Sequence, residues 1–248
     1  MVVTHTSSKK NKYNILSENL DKELLQCSLK ESREDMVYLP DLIKKNGISV
    51  VIEDYGNAFL RESVAINFIQ AAANFNKRNL TLKLESAYRS INEQKQRFTK
   101  RFLLMKNKYP EKSNNELLKL ANTYTAGILI LAAHTAGAAV DVILLDKNRK
   151  PLNFGTPYPL GTAKSVTNYP NLQKKIKDNR KILKEGMEKY GFINYPFEYW
   201  HYSIGDVYAS HIKKQKYAIY GPVNYDLETK TTVFPKETQS FYKFFKTT

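Results

Sequence analysis

The chain has 248 residues, 42% of them hydrophobic and 12% aromatic, and a net charge of +15. This composition can fill a sizeable core and excludes a disordered polymer. A single cysteine, Cys27, excludes an internal disulfide and any cysteine-rich zinc module.

In chain order, residues 1–30 are polar and amphipathic and read as an N-terminal arm. Residues 31–206 read as the main domain, and 207–248 as a C-terminal extension packed on it. The first residues lack the apolar run of a secretory signal, and no stretch approaches the roughly 20 apolar residues of a membrane span. A cytoplasmic location is therefore expected, with the periplasm or export as the alternative. Cys27, set among Leu24, Leu25 and Leu29, suits a buried apolar role.

Val64, Ile66, Phe68, Ile69 and Ala72 recur at helical spacing, which predicts a helix from Arg61 to Phe75. Asn79 to Glu85 alternates Leu80, Leu82 and Leu84 with Thr81 and Lys83, the pattern of a strand with one buried face. That strand delivers Tyr88 and Arg89 to its end. Ser90 and Glu93 then form a capping-box pattern for a helix running past Phe98 and Phe102. A further helix is expected around Asn114 to Tyr124, and a strand from Ala138 to Leu145. Asp146-Lys-Asn-Arg has turn chemistry, and Pro151 to Pro159 reads as an irregular loop. A helix from about Asn171 to Tyr190 ends at Gly191. Phe192 to Tyr195 and Phe197 to Ile204 read as a final pair of strands, and residues 207–248 show no clear periodicity. Helices first and strands around the motifs favour an α+β fold with a small antiparallel sheet flanked by helices.

Two segments carry the chemistry. His134-Thr-Ala-Gly137-Ala-Ala-Val-Asp141 and Glu198-Tyr-Trp-His201 together offer two imidazoles and a carboxylate, a set that can hold zinc, plus a second carboxylate able to accept a proton. In one uninterrupted strand His134 and Asp141 would face opposite ways, so both reach one metal only if the chain turns at Gly137. Asp141 stands between Val140 and Val142, where an unpaired carboxylate is costly to bury. Metal ligation removes that cost, and so would a salt bridge. Glu198 and His201 fall in an aromatic-rich stretch read as strand. Arg89, at a strand end, could stabilise an oxyanion or form a structural ion pair. His5 and His211 have no such companions.

The +15 charge favours anionic partners in general. The lysines are scattered, arginine is the minority cation, and no nucleic-acid fold signature is present, so a solvated lysine-rich surface is expected and nucleic acid is disfavoured. A non-catalytic, zinc-stabilised binding module for cell-wall polymer is the reading from another class.

Three segments, Ser86-Ala-Tyr-Arg89-Ser-Ile-Asn-Glu-Gln94, His134 to Asp141 and Glu198-Tyr-Trp-His201, resemble in order and spacing the signatures of the zinc D-alanyl-D-alanine peptidases, relatives of the lysostaphin-type enzymes and the Hedgehog domain. The resemblance implies one Zn2+ per chain held by His134, Asp141 and His201, Glu198 as general base, and Arg89 polarising the scissile carbonyl. It also implies that Tyr88, Gln94 and Trp200 shape the substrate pocket. Phe154-Gly-Thr-Pro157-Tyr and Tyr199 resemble the D-Ala-D-Ala dipeptidase branch. Ala132 and Ala133 stand where vancomycin-resistance dipeptidases carry serines, which keeps a D,D-carboxypeptidase trimming peptidoglycan stem peptides as the alternative.

Overall fold

A computed structural model describes residues 19–235. Strand β1 (Met36–Tyr38) leads into α1 (Leu39–Lys45), and β2 (Val50–Ile52) and β3 (Phe59–Arg61) precede α2 (Glu62–Asn76). Next come β4 (Thr81–Ser86), α3 (Ile91–Lys108), α4 (Asn114–Asn122) and β5 (Ala139–Leu145). After a long loop follow α5 (Lys174–Glu188), β6 (Ile193–Asn194), β7 (His201–Ser203), α6 (Val207–Ile212) and the hairpin β8 (Asn224–Asp226) and β9 (Thr231–Val233).

The main sheet has five strands in the order β2-β4-β5-β7-β6. Its pairs are antiparallel except β2 with β4, which is parallel and corrects the purely antiparallel expectation. That exception follows from connectivity: α2 lies between the two strands and carries the chain back across the sheet. Every residue of β5 is buried, as a central strand covered on both faces requires. On one face α2 buries Val64, Ala65, Phe68, Ala72 and Phe75, joined by Leu183 and Met187 of α5. Gly186 lets the two helices approach, because a methyl group there would overlap the Phe75 ring. A second cluster, with Phe98, Phe102, Met105, Leu117, Leu118 and Ala121, holds α3 against α4. Both helices start at serine caps: Ser90 Oγ accepts from Glu93 N, and Ser113 forms a full capping box with Glu116.

The ends of the described chain pack on the rest. In residues 19–30 Leu24 packs with Val207, Tyr208 and Ala218, and Lys30 N donates to Ala218 O at 2.9 Å. Cys27 is half-buried, 3.8 Å from His211 Nδ1, and His211 Nε2 lies 3.3 Å from Glu23. After residue 207 the chain forms α6, capped by Asp206, and the β8–β9 hairpin. Residues 1–18 and 236–248, with His5, lie outside the described residues.

Two buried arginines replace apolar packing with hydrogen bonds. Arg61 donates through Nε to Ala136 O at 2.8 Å, through Nη1 to Glu34 O at 2.5 Å and through Nη2 to Gly221 O at 3.2 Å, and pairs with Glu31. Arg180 donates to the carbonyls of Phe154, Lys164 and Val166 and lies over the Tyr199 ring at 4.5 Å. It thereby pins the loop between β5 and α5, while burial pushes its guanidinium down to about 10.

Candidate metal and catalytic site

His134 sits in a tight turn, Ala133–Ala136, that Gly137 ends in the left-handed region at φ 63°. The turn lets both His134 and Asp141 face the same cleft, as the spacing required. A side chain at Gly137 would meet Met36 Sδ as well as an unfavourable φ. Gly137→Ala is expected to cost about 1–3 kcal/mol, read as a lowered urea midpoint with an unchanged m-value.

Asp141 and His201 are cross-strand partners on β5 and β7. The β4 partner opposite Asp141 is Ser86, next to a bulge between Leu84 and Ser86 that re-aims the end of β4. Arg89, just past that end, donates its backbone N–H to His134 O at 3.2 Å. Here the sequence reading needs a correction: Glu198 lies in the turn between β6 and β7, not in a strand. His201 N bonds Glu198 O at 3.1 Å, and Asn194 Nδ2 donates to both Glu198 O and His201 O. In a strand, residues three apart would face opposite ways; the turn is what lets Glu198 and His201 share one cleft.

One donor atom each from His134, Asp141 and His201 lies within 4.8 Å of the others. His134 Nε2 is 3.3 Å and His201 Nδ1 2.9 Å from Asp141 Oδ1. His134 Nδ1 is 2.6 Å from Ala87 O. A carbonyl only accepts, so Nδ1 carries the proton and Nε2 faces its partners with a lone pair, the usual outer-shell arrangement of a metal-binding histidine. Tyr158 OH donates to Asp141 Oδ2 at 3.3 Å, and Trp200 Nε1 donates to Glu198 Oε2 at 3.0 Å. Donor atoms of tetrahedral zinc stand about 3.3 Å apart for bonds of about 2.0–2.1 Å. The set fits that ion in donor type and in spread.

Burial pushes the Asp141 carboxyl up, but the His134 and His201 imidazoles beside it outweigh burial and hold it far below the usual carboxylate range. Burial lowers His134, with the nearby positive charges of Arg89 and His201 adding to that effect. For His201 burial acts downward, yet the bond to Asp141 and the charge of Glu198 win and raise it. Burial raises Glu198, and Asp141 adds to the rise. Two carboxylates, Asp141 and Glu198, thus stand beside the two imidazoles at the metal-type set itself, an arrangement that a bound cation would stabilise.

The cleft is lined by His134, Asp141, Glu198, Trp200, His201, Arg89 and Gln94, and has a volume of about 310 Å³. Gln94 is buried, accepts from Arg89 Nη1 at 2.8 Å, and donates to Ala126 O at 2.8 Å. Of the residues expected to bind metal, act in catalysis or shape the pocket, Tyr88 alone is absent from this lining. Its ring packs with Met36, Phe59 and Val223, and its hydroxyl donates to Val223 O and accepts from Tyr225 N. Neighbouring side chains at the end of an extended segment point opposite ways, so turning Arg89 inward turns Tyr88 outward. His211 is outside the cleft as well. The sequence reading missed Tyr158, Tyr195, Arg97 and Arg101 in the lining. Only Tyr158 carried a signal, as the aromatic closing the Phe154-Gly-Thr-Pro157 loop.

The sequence profile of the D-ala-D-ala dipeptidase family matches residues 43–218. The chain belongs to this family. Its peptidases are zinc-dependent, in keeping with the His-Asp-His set. A D-alanyl-D-alanine dipeptidase of Synechocystis sp. is 35% identical over 107 residues, 36% of this chain and 43% of that relative, so the similarity spans less than half of it. Among solved structures, the LdcB LD-carboxypeptidase is 16% identical with a TM-score of 0.36, covering 75% of each chain. A zinc-bound vancomycin-resistance D,D-pentapeptidase, VanY, is 16% identical with a TM-score of 0.39, covering 70% of this chain and 89% of its own. No helix among the described residues is long and apolar enough to cross a membrane.

Proposed function

We propose that this protein is a zinc-dependent D,D-peptidase that hydrolyses D-alanyl-D-alanine. One observation carries the reading: three metal-type donors from separate elements converge beside a carboxylate and a guanidinium in one cleft. His134, Asp141 and His201 would hold the ion. Zn2+, when bound, polarises the scissile carbonyl and acidifies water. Glu198 takes the proton from the attacking water and passes it to the departing amine. The Trp200 indole, bonded to Glu198 Oε2, keeps that carboxylate turned into the cleft. Arg89, held by Gln94, pairs with the negative charge that grows on the carbonyl oxygen. Tyr158 and Ala87 fix the outward sides of Asp141 and His134.

The dipeptide is the preferred substrate, on the strength of the family and of the Synechocystis relative's name. Ala132 and Ala133 line the cleft without hydroxyls to hold a substrate amine, which favours the alternative, a D,D-carboxypeptidase acting on stem peptides. A cytoplasmic location belongs with the dipeptidase reading, and an exported one with the carboxypeptidase. Mass spectrometry of zinc-loaded protein incubated with D-Ala-D-Ala and a stem pentapeptide decides between them. Free D-Ala from the dipeptide is expected, abolished by chelation and restored by Zn2+. Loss of one D-Ala from the pentapeptide alone selects the carboxypeptidase, and cleavage of neither overturns the proposal.

A further inference from the structure

Arg180 carries a buried charge that no acid in the described fold neutralises. Its guanidinium, on α5, is 2% exposed, and its hydrogen bonds all end on backbone carbonyls, those of Phe154, Lys164, Val166 and Thr167. No carboxylate pairs with it among the described residues, whereas Arg61, the other fully buried guanidinium, has Glu31. Carbonyl dipoles solvate the group but leave its charge in place. A buried charge of this kind is costly without a counter-ion.

Beside Arg180 the surface opens into a pocket of about 390 Å³. Lys177, Lys181 and Lys184 line it with Arg180, while Glu185 and residues 167–170, just before the helix, supply the rest. The lysines stand four and three residues apart, so they share one face of α5, about 6 and 4.5 Å apart along its axis. Lys181 lies 3.7 Å from Glu185, and Lys184 2.6 Å from Glu188. Lys177 pairs with no carboxylate among the described residues, since its neighbour Asp178 bonds Lys174 at 2.8 Å. Lys177, Arg180, Lys181 and Lys184 against Glu185 and Glu188 leave a positive excess. A flat lysine face would simply be solvated. The concavity and the unneutralised arginine in its lining set this face apart.

We propose that Lys177, Arg180, Lys181 and Lys184 form a binding site for a small anion carrying two or more phosphate groups. The site shares no lining residue with the metal cleft. Lysine ammonium groups act as point charges that suit phosphate oxygens, and their spread along the helix calls for more than one charged group. The volume lies at the small end of ligand pockets, which suits a small molecule. Arg180 also holds the loop that carries Tyr158 to Asp141, so the bound anion steadies that loop through the guanidinium.

The test titrates inorganic pyrophosphate onto zinc-loaded protein by calorimetry in about 0.1 M chloride, with the zinc content measured before and after. Wild type is expected to bind it saturably, with zinc retained. Lys177→Gln combined with Lys181→Gln should weaken binding by about 10- to 100-fold, the order of one charge-assisted hydrogen bond, and Lys177→Arg should keep it. Both lysines are exposed, so the double variant leaves the packing of Arg180 intact and should keep the wild-type Tm. Arg97→Gln combined with Arg101→Gln removes charge from the metal cleft instead and should bind like wild type. Amide exchange across residues 154–167 should slow when wild type binds. No binding by wild type, or equal affinity in the lysine variant, overturns the proposal. Binding lost only in the Arg97 and Arg101 variant, or accompanied by loss of zinc, places pyrophosphate at the cleft and overturns it as well.

Discussion

Glu198→Ala is expected to lower kcat by about 10²- to 10⁴-fold, the usual worth of a positioned general base, while the protein still binds one zinc per chain. The two halves of that result follow from separate features. Glu198 donates no atom to the His134, Asp141 and His201 set, so the ion has its full protein ligand set without it. Its backbone carbonyl, which anchors the β6–β7 turn through Asn194 and His201, is untouched by the substitution. What disappears is a half-buried carboxylate that burial and Asp141 have made a better proton acceptor than an ordinary surface glutamate. Metal analysis beside steady-state rates checks this. Full activity with bound zinc would remove Glu198 from the base role, whereas loss of zinc would show that it helps retain the ion.

Arg61→Ala should be the most damaging change outside the cleft. The guanidinium is fully buried and ties three segments together: the turn after His134 through Ala136 O, the N-terminal segment through Glu31 and Glu34, and the C-terminal segment through Gly221 O. Removing it leaves the Glu31 carboxylate and three carbonyls short of a donor. Breaking a buried ionic pair in this way costs about 3–5 kcal/mol. For a chain of this size that is a fall in Tm of about 10 °C, measurable by calorimetry on zinc-loaded protein. A drop of a degree or two would mean that water replaces the guanidinium at little cost.

The sequence was legible where periodicity or a cap wrote the structure locally. α2 and β5 fall within a residue or two of the expected limits, because α2 repeats its apolar face and β5 is an unbroken apolar run apart from Asp141. Ser90 and Gly137 announced the helix start and the turn through chemistry that few other residues can supply. Glu198 was placed in a strand because Tyr199, Trp200 and Tyr202 have the composition of one. The Tyr199 and Trp200 rings are buried by packing on Phe154, Tyr158 and each other, and Tyr202 lies in the main core, which local sequence does not record. The parallel β2–β4 pair and the β8–β9 hairpin depend on three-residue strands, too short to show a period. Arg61 and Arg180 gave no signal either: apart from Glu31, thirty residues before Arg61, their hydrogen-bond partners are backbone carbonyls, and any residue supplies those.

The joining of residues 28–31 to 218–221 has a consequence for biosynthesis. Ser28, Lys30 and Glu31 bond Ala218 and Gly221, and Arg61 carries that join to Ala136, within the turn that holds His134. On the ribosome, the β4–β5 pairing can form once residue 145 has emerged. The support behind His134 cannot be completed until some 75 further residues have followed, the difference between 221 and 145. A nascent chain therefore has no finished site to act with until nearly all of its described length is free of the tunnel, and the long sequence separation of these contacts makes that closing step slow relative to local helix formation.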